Sequence, residues 1–127
     1  MDGDERRYEH DPVSEAVIGA AFRVANALGP GFLEKVYENA LAHEIQKSGL
    51  AAMQQARMEV LYDGVIVGDY VADLVVAGSL IVELKACKAL DDIHVAQCLN
   101  YMKASGLRTC LLLNFGTPKI QTRRLSL

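Results

Sequence analysis

Apolar residues change their spacing from about Arg57, and that switch decides what this chain can build. Upstream, Val17, Ile18, Ala21, Phe22, Ala25 and Leu28 recur three and four residues apart, which predicts a helix with one buried stripe. Asp11-Pro12 or Ser14 can start it, since an early helical position needs no N–H, and Gly29-Pro30-Gly31 ends it. A second helix is predicted over 32–48, with Leu33, Tyr37, Leu41 and Ile45 as its stripe and Gly49 as its cap. From about Arg57 the period becomes two. Met58–Tyr62, Val65–Val76 and Leu80–Lys85 read as strands joined by Asp63-Gly64 and Ala77-Gly78-Ser79, an antiparallel meander. Gly68-Asp69 is a candidate bulge or bend.

A third helix is predicted over 92–105, capped by Asp91 or Asp92 and closed by Gly106. Leu107–Phe115 is nearly all apolar, as a strand buried on both faces must be. Asn114–Pro118 turns the chain, and Lys119–Leu127 is a last strand at an edge. The order ααβββαββ predicts an α/β domain over 13–127, a mixed central sheet flanked by helices, after a mobile tail at 1–12.

A chain of 127 residues with 51% hydrophobic and 23% charged side chains can bury a core and is not a disordered composition. No apolar run is long enough to span a membrane, and the acidic start, Met1 to His10, has no apolar signal core. A cytoplasmic location without membrane contact is expected. Cys87, Cys98 and Cys110 are too scattered for a disulfide framework or a zinc site and read as buried thiols. The net charge of −3 hides an asymmetry. Residues 93–127 carry Lys103, Arg108, Lys119, Arg123 and Arg124 and no carboxylate, so a phosphate-binding surface is expected there; a solvated basic face is the alternative.

Chemistry is expected on the second and third strands. Glu83 and Lys85 are two apart and leave one face of the sheet with Ile81, and the hairpin can set Asp73 beside Glu83. Adjacent carboxylates repel unless a cation lies between them, and a hard divalent ion suits their oxygens. A nearby lysine can then act on an attacking water. A cross-strand salt-bridge cluster remains the alternative. The flanking segments are otherwise apolar, however, and charges there need partners or a function. Glu34 and Tyr37 share one side of the second helix, and Gln97 and Tyr101 one side of the third.

Gly31-Phe32-Leu33-Glu34-Lys35-Val36-Tyr37 spells G-x-x-E-x-x-Y. With Gly29-Pro30-Gly31, the Asp73 strand, Glu83-Leu84-Lys85-Ala86, Gln97-x-x-x-Tyr101 and Asn114-Phe115-Gly116, the chain resembles the GxxExxY protein family of the PD-(D/E)XK nuclease-like superfamily over residues 13–127. The Gln-x-x-x-Tyr pair resembles the RecB-type branch. The resemblance implies a restriction-endonuclease-like αβββαβ core and divalent-metal-dependent cleavage of nucleic acid, with DNA expected. Asp73 and Glu83 would hold Mg²⁺ or Mn²⁺, and Lys85 would act on the attacking water. Glu34 would complete the metal cluster directly or through water, and Gln97, Tyr101 and Tyr37 would position substrate or pack beside it. Two positions depart from the family pattern: Val71 stands where a basic residue often precedes Ala-Asp, and Ala25 where a histidine is common. The alternative function is a non-cleaving nucleic-acid-binding or assembly module that keeps the fold. So acidic a chain would need its basic segment on one face, a homodimer, or a partner protein to supply affinity for DNA.

Overall fold

The computed structural model describes residues 11–127. The expected tail lies mostly outside them, but its last two residues begin the first helix: Asp11 caps it, accepting the Val13 N–H at 3.1 Å, and Pro12 is its first residue. The elements are α1 (Pro12–Leu28), α2 (Glu34–Lys47), β1 (Ala52–Tyr62), β2 (Val65–Val76), β3 (Leu80–Lys85), α3 (Asp92–Ser105), β4 (Thr109–Asn114) and β5 (Gln121–Ser126). This is the predicted order. The five strands form one sheet in sequence order; β3 and β4 run parallel and the other neighbours antiparallel. The architecture is the restriction-endonuclease-like mixed sheet that the resemblance implied.

Helices cover both faces. Val17, Ala21, Tyr37, Leu41 and Ile45 of α1 and α2 pack on Leu74, Val82, Leu84, Leu111 and Leu113. Cys98, Tyr101 and Met102 of α3 pack on Ile81, Cys110 and Leu112 from the other side. Three consecutive leucines of β4 are thus fully buried, alternating between the two layers, each contributing roughly 1.5–3 kcal/mol by leaving water.

The differences from the sequence reading are local. β1 begins five residues before Arg57, because Ala51–Gln55 has neither the β-branched residues nor the alternation that would announce a strand. Leu33 stands in solvent ahead of α2 instead of in its stripe. The ladder slips from Val60–Gly68 to Leu61–Ile66, so the extra residue is Val67, just before Gly68. Asp91 is the cap of α3, reciprocated by His94 Nδ1, which accepts the Asp91 N–H at 3.2 Å.

Behind β3, the buried Asn114 staples the chain that follows Lys85. Its Oδ1 accepts the N–H groups of Cys87 (3.0 Å) and Gly116 (2.9 Å), and its Nδ2 donates to the Cys87 carbonyl (3.0 Å) and Gln121 (2.9 Å). Gly116 must lack a side chain here, since a Cβ would strike the Cys87 backbone. Asn114→Ala strands several buried polar groups. It should lower the unfolding free energy by about 3 kcal/mol, read by urea denaturation; a loss under ~0.5 kcal/mol would contradict the staple.

Candidate active site

The site forms where β2 and β3 part. Their ladder runs from Val76–Leu80 to Leu74–Val82 and ends there. One residue further, side chains replace the backbone partners. Glu83 Oε2 accepts the Asp73 N–H at 2.7 Å, and Asp73 Oδ2 accepts the Leu84 N–H at 2.9 Å. Each carboxylate therefore satisfies a backbone donor on or beside the other's position.

Asp73 also marks a turnover of the β1–β2 ribbon. Ala72 packs in the α3 layer and Leu74 in the opposite one, although a regular strand would put both on one face. Opposite Asp73, Gln55 drops out of the ladder with φ 54°, a left-handed conformation that costs a non-glycine residue roughly 1–2 kcal/mol. What holds it is Glu38, which sequence reasoning missed. Glu38 is only 4% exposed, and its carboxylate accepts from Gln55 (2.8 Å), Gln54 (2.7 Å) and Lys35 (3.2 Å). The available signal was its place four residues after Glu34, on the same side of α2.

Burial pushes the Glu83 carboxyl up to about 8, the Asp73 charge adds to the rise, and the Asp73 N–H and Lys85 oppose it. Asp73 is raised too, first by burial and then by Glu38 and Glu34, against the Leu84 N–H and Lys85. Lys85, half-buried at the end of β3, is thus an electrostatic neighbour of both. Tyr101, 7% exposed, has its hydroxyl pushed up to about 12 by burial and then by Glu83 and Asp73. Gln97 Nε2 donates to that hydroxyl at 3.0 Å.

Asp73, Glu83, Lys85, Tyr101 and Gln97 are therefore brought together. Glu34 acts on Asp73 from the exposed first turn of α2, and among the described residues no three His, Cys, Asp or Glu side chains cluster closely enough to hold an ion. The expectation left direct and water-mediated contact by Glu34 open; here Glu34 meets the pair only as an electrostatic neighbour of Asp73. Tyr37 is fully buried and stacked on Phe115, with ring centroids 4.6 Å apart. Its hydroxyl donates to the Gly29 carbonyl and accepts the Phe32 N–H, so it fixes the loop leading into α2 and presents no open hydroxyl. Of the C-terminal cations, Lys103 lies near the site, lining a groove with Tyr70. Arg123 and Arg124 are on β5, two strands beyond β3, and Arg108 donates to the Leu127 carbonyl.

The Asp73–Glu83 pair fits a hard divalent cation. Both are oxygen donors, and Asp73 Oδ1 and Glu83 Oε1 hydrogen-bond no described residue. A cation would also relieve the repulsion that raises both carboxyls.

Sheet order, parted strands and the Asp–Glu–Lys set define an α/β protein of the restriction-endonuclease-like class. The model of the PD-(D/E)XK nuclease superfamily matches residues 11–125, and the chain belongs to that superfamily. Nucleases of this superfamily generally use divalent metal ions. The crystal structure of an alkaline exonuclease from Laribacter hongkongensis superposes with a TM-score of 0.50 at 14% sequence identity, over 89% of this chain and 81% of that one; the likeness is one of fold. Comparison with curated proteins gave no match. No helix among the described residues is long and apolar enough to cross a membrane.

A buried acid that titrates near 8 when folded and near 4.5 when unfolded keeps its proton in the folded state across that window. The unfolded chain then binds fewer protons, so stability falls as pH rises from about 4.5 to about 8. Metal-free protein should lose a few kcal/mol across this range, read by urea denaturation at a series of pH values. Glu83→Gln should flatten the slope; an unchanged slope would show that Glu83 is not the group responsible.

Proposed function

We propose that this chain is a divalent-metal-dependent nuclease that hydrolyses phosphodiester bonds, with DNA as its substrate. The reading is carried by the buried Asp73–Glu83 pair held at the parting of β2 and β3, with Lys85 two residues on. Asp73 and Glu83 would hold Mg²⁺ (or Mn²⁺). Such an ion supplies Lewis acidity toward the scissile phosphate and makes water a better nucleophile near neutral pH.

The chain's own side chains do the rest. The Lys85 ammonium orients the attacking water and steadies charge that builds on the phosphate. Gln97 and Tyr101, already bonded to each other, receive the strand's backbone beside the carboxylates. Glu34 extends the acidic field toward Asp73 and would meet a bound ion through water. Tyr37 contributes by fixing the loop that sets the start of α2. A second reading, a non-cleaving binding or assembly module, is favoured by the sparse positive charge beside the carboxylates. On either reading, added duplex affinity would come from a second copy or a partner protein.

Two measurements test this. With Mg²⁺ or Mn²⁺, purified protein should cleave DNA, and Lys85→Ala should lower the rate by roughly 100-fold or more. No cleavage of any DNA or RNA by the wild type would favour the binding module, and equal cleavage by both proteins would place the activity elsewhere. Mg²⁺ should also raise the melting midpoint, because an ion that binds only the folded state stabilises it. Asp73→Asn should remove most of that rise; an undiminished rise would put the ion at another site.

A further inference from the structure

Beyond Asp73, β2 pairs with β1 alone, because β3 has already left it. The ribbon therefore stands free of the main sheet, and a groove opens between it and α3. One part of it, about 470 Å³, is lined by Glu59, Tyr70, Asn100 and Lys103 among others. A second part, about 270 Å³, shares Tyr70 and Asn100 and adds Gln97 and Tyr101. The Tyr70 and Tyr101 rings lie with centroids 5.2 Å apart and planes tilted by 54°. Tyr101, at the Gln97 end of the groove, is an electrostatic neighbour of Glu83 and Asp73, so that end is the one turned toward the carboxylate pair.

The chemistry of this lining discriminates between forms of nucleic acid. Duplex capture relies on many Lys and Arg side chains neutralising phosphates. Here the lining offers one ammonium, Lys103, and opposes it with Glu59. It is instead equipped with a phenol ring more than a third exposed and two carboxamides. An aromatic face binds the π-face of an unpaired base whatever the net charge, and a carboxamide pairs with base edges that are open only outside a duplex.

We propose that the groove between the β1–β2 ribbon and α3 is the entry path for an unpaired DNA strand, with one base stacked on Tyr70, its edge met by Asn100 and the neighbouring phosphate met by Lys103. This names the substrate class of the nuclease reading above and rests on it for the direction of travel toward Asp73 and Glu83. Tyr70 and Asn100 are binding residues that no part of the Asp–Glu–Lys chemistry requires.

The test measures binding apart from cleavage. Fluorescence anisotropy is recorded for a labelled oligothymidine strand and for a duplex of equal length, using the full chain with Lys85→Ala and EDTA present. The unpaired strand should bind more tightly than the duplex. Adding Tyr70→Ala should weaken oligothymidine binding about tenfold or more, while Tyr70→Trp, which keeps a stacking face, should hold it within about twofold. If Tyr70→Ala melts early, Tyr70→Leu replaces it, being apolar but without a π-face. Equal affinity for strand and duplex, no effect of removing the ring, or a Trp variant as weak as the Ala variant would each overturn the groove proposal. Wild-type protein with Mg²⁺ separates the two readings. Tyr70-dependent strand binding without cleavage leaves the groove and removes the nuclease. Cleavage with Tyr70-independent binding does the reverse, and no binding of either nucleic acid overturns the groove.

Discussion

The exchange of carboxylates for backbone partners between β2 and β3 is the constraint on which the rest of the site depends. Two strands that part leave N–H groups facing each other's absence, and a buried N–H without an acceptor is costly. Glu83 and Asp73 fill those vacancies at 2.7 and 2.9 Å. Sheet termination and acid placement are thus one feature. The bonds fix one oxygen of each carboxylate and leave the other open, a more rigid arrangement than side chains reaching from a sheet face could offer. They also lower the cost of burying two acids side by side, without abolishing it, which is why Glu83 still titrates near 8.

The surroundings carry strain that only a functional role makes sensible. Gln55 sits in a left-handed conformation, the Glu38 side chain is buried, and Glu38 and Glu34 both push Asp73 toward protonation. Each is unfavourable locally and each is compensated nearby. The Gln54 and Gln55 amides and the Lys35 ammonium saturate Glu38, and Tyr37 anchors the start of α2 through Gly29 and Phe32. Unfavourable groups gathered and supported in this way are expected where function outranks stability. Asn114 does the corresponding work behind β3, locking Cys87 so that the end of the strand bearing Lys85 cannot fray.

Those contributions explain what the sequence disclosed. Local patterns were legible: the Gly-Pro-Gly break, the Asp63-Gly64 turn, whose residues both take positive φ, the apolar β4 and the caps at Asp91 and Gly106. Pairing of Asp73 with Glu83 and of Gln97 with Tyr101 followed from hairpin geometry and helical spacing. The turnover at Asp73 did not, because alternation read along one strand assumes that strand keeps its face; here the face changes where a neighbouring strand departs, a non-local event. The role of Glu38 was hidden for the same reason. Its partners, Gln54 and Gln55, lie sixteen and seventeen residues on, in a segment with no strand signature. Leu33 satisfied the stripe by spacing alone, but α2 begins after it.

Charge placement bears on how such an acidic chain meets a polyanion. Several cations are engaged within the protein: Arg23 and Lys47 with Glu44, Lys35 with Glu38, Arg57 with Asp69. Those on β5 lie two strands from Glu83 and three from Asp73. On the proposed reading, the nearest large change in local potential is loss of the Glu83 proton coupled to uptake of a dication, which would take the pair from net negative to neutral. Metal affinity would then rise with pH, since ligands bind the ion only when deprotonated. By linkage, if the ion strengthens phosphate binding there, phosphate would strengthen metal binding by the same factor. On the proposed reading the carboxylate pair repels a scissile phosphate until the ion arrives, so any strand held before that is held by groove side chains such as Tyr70 and Asn100, away from the pair.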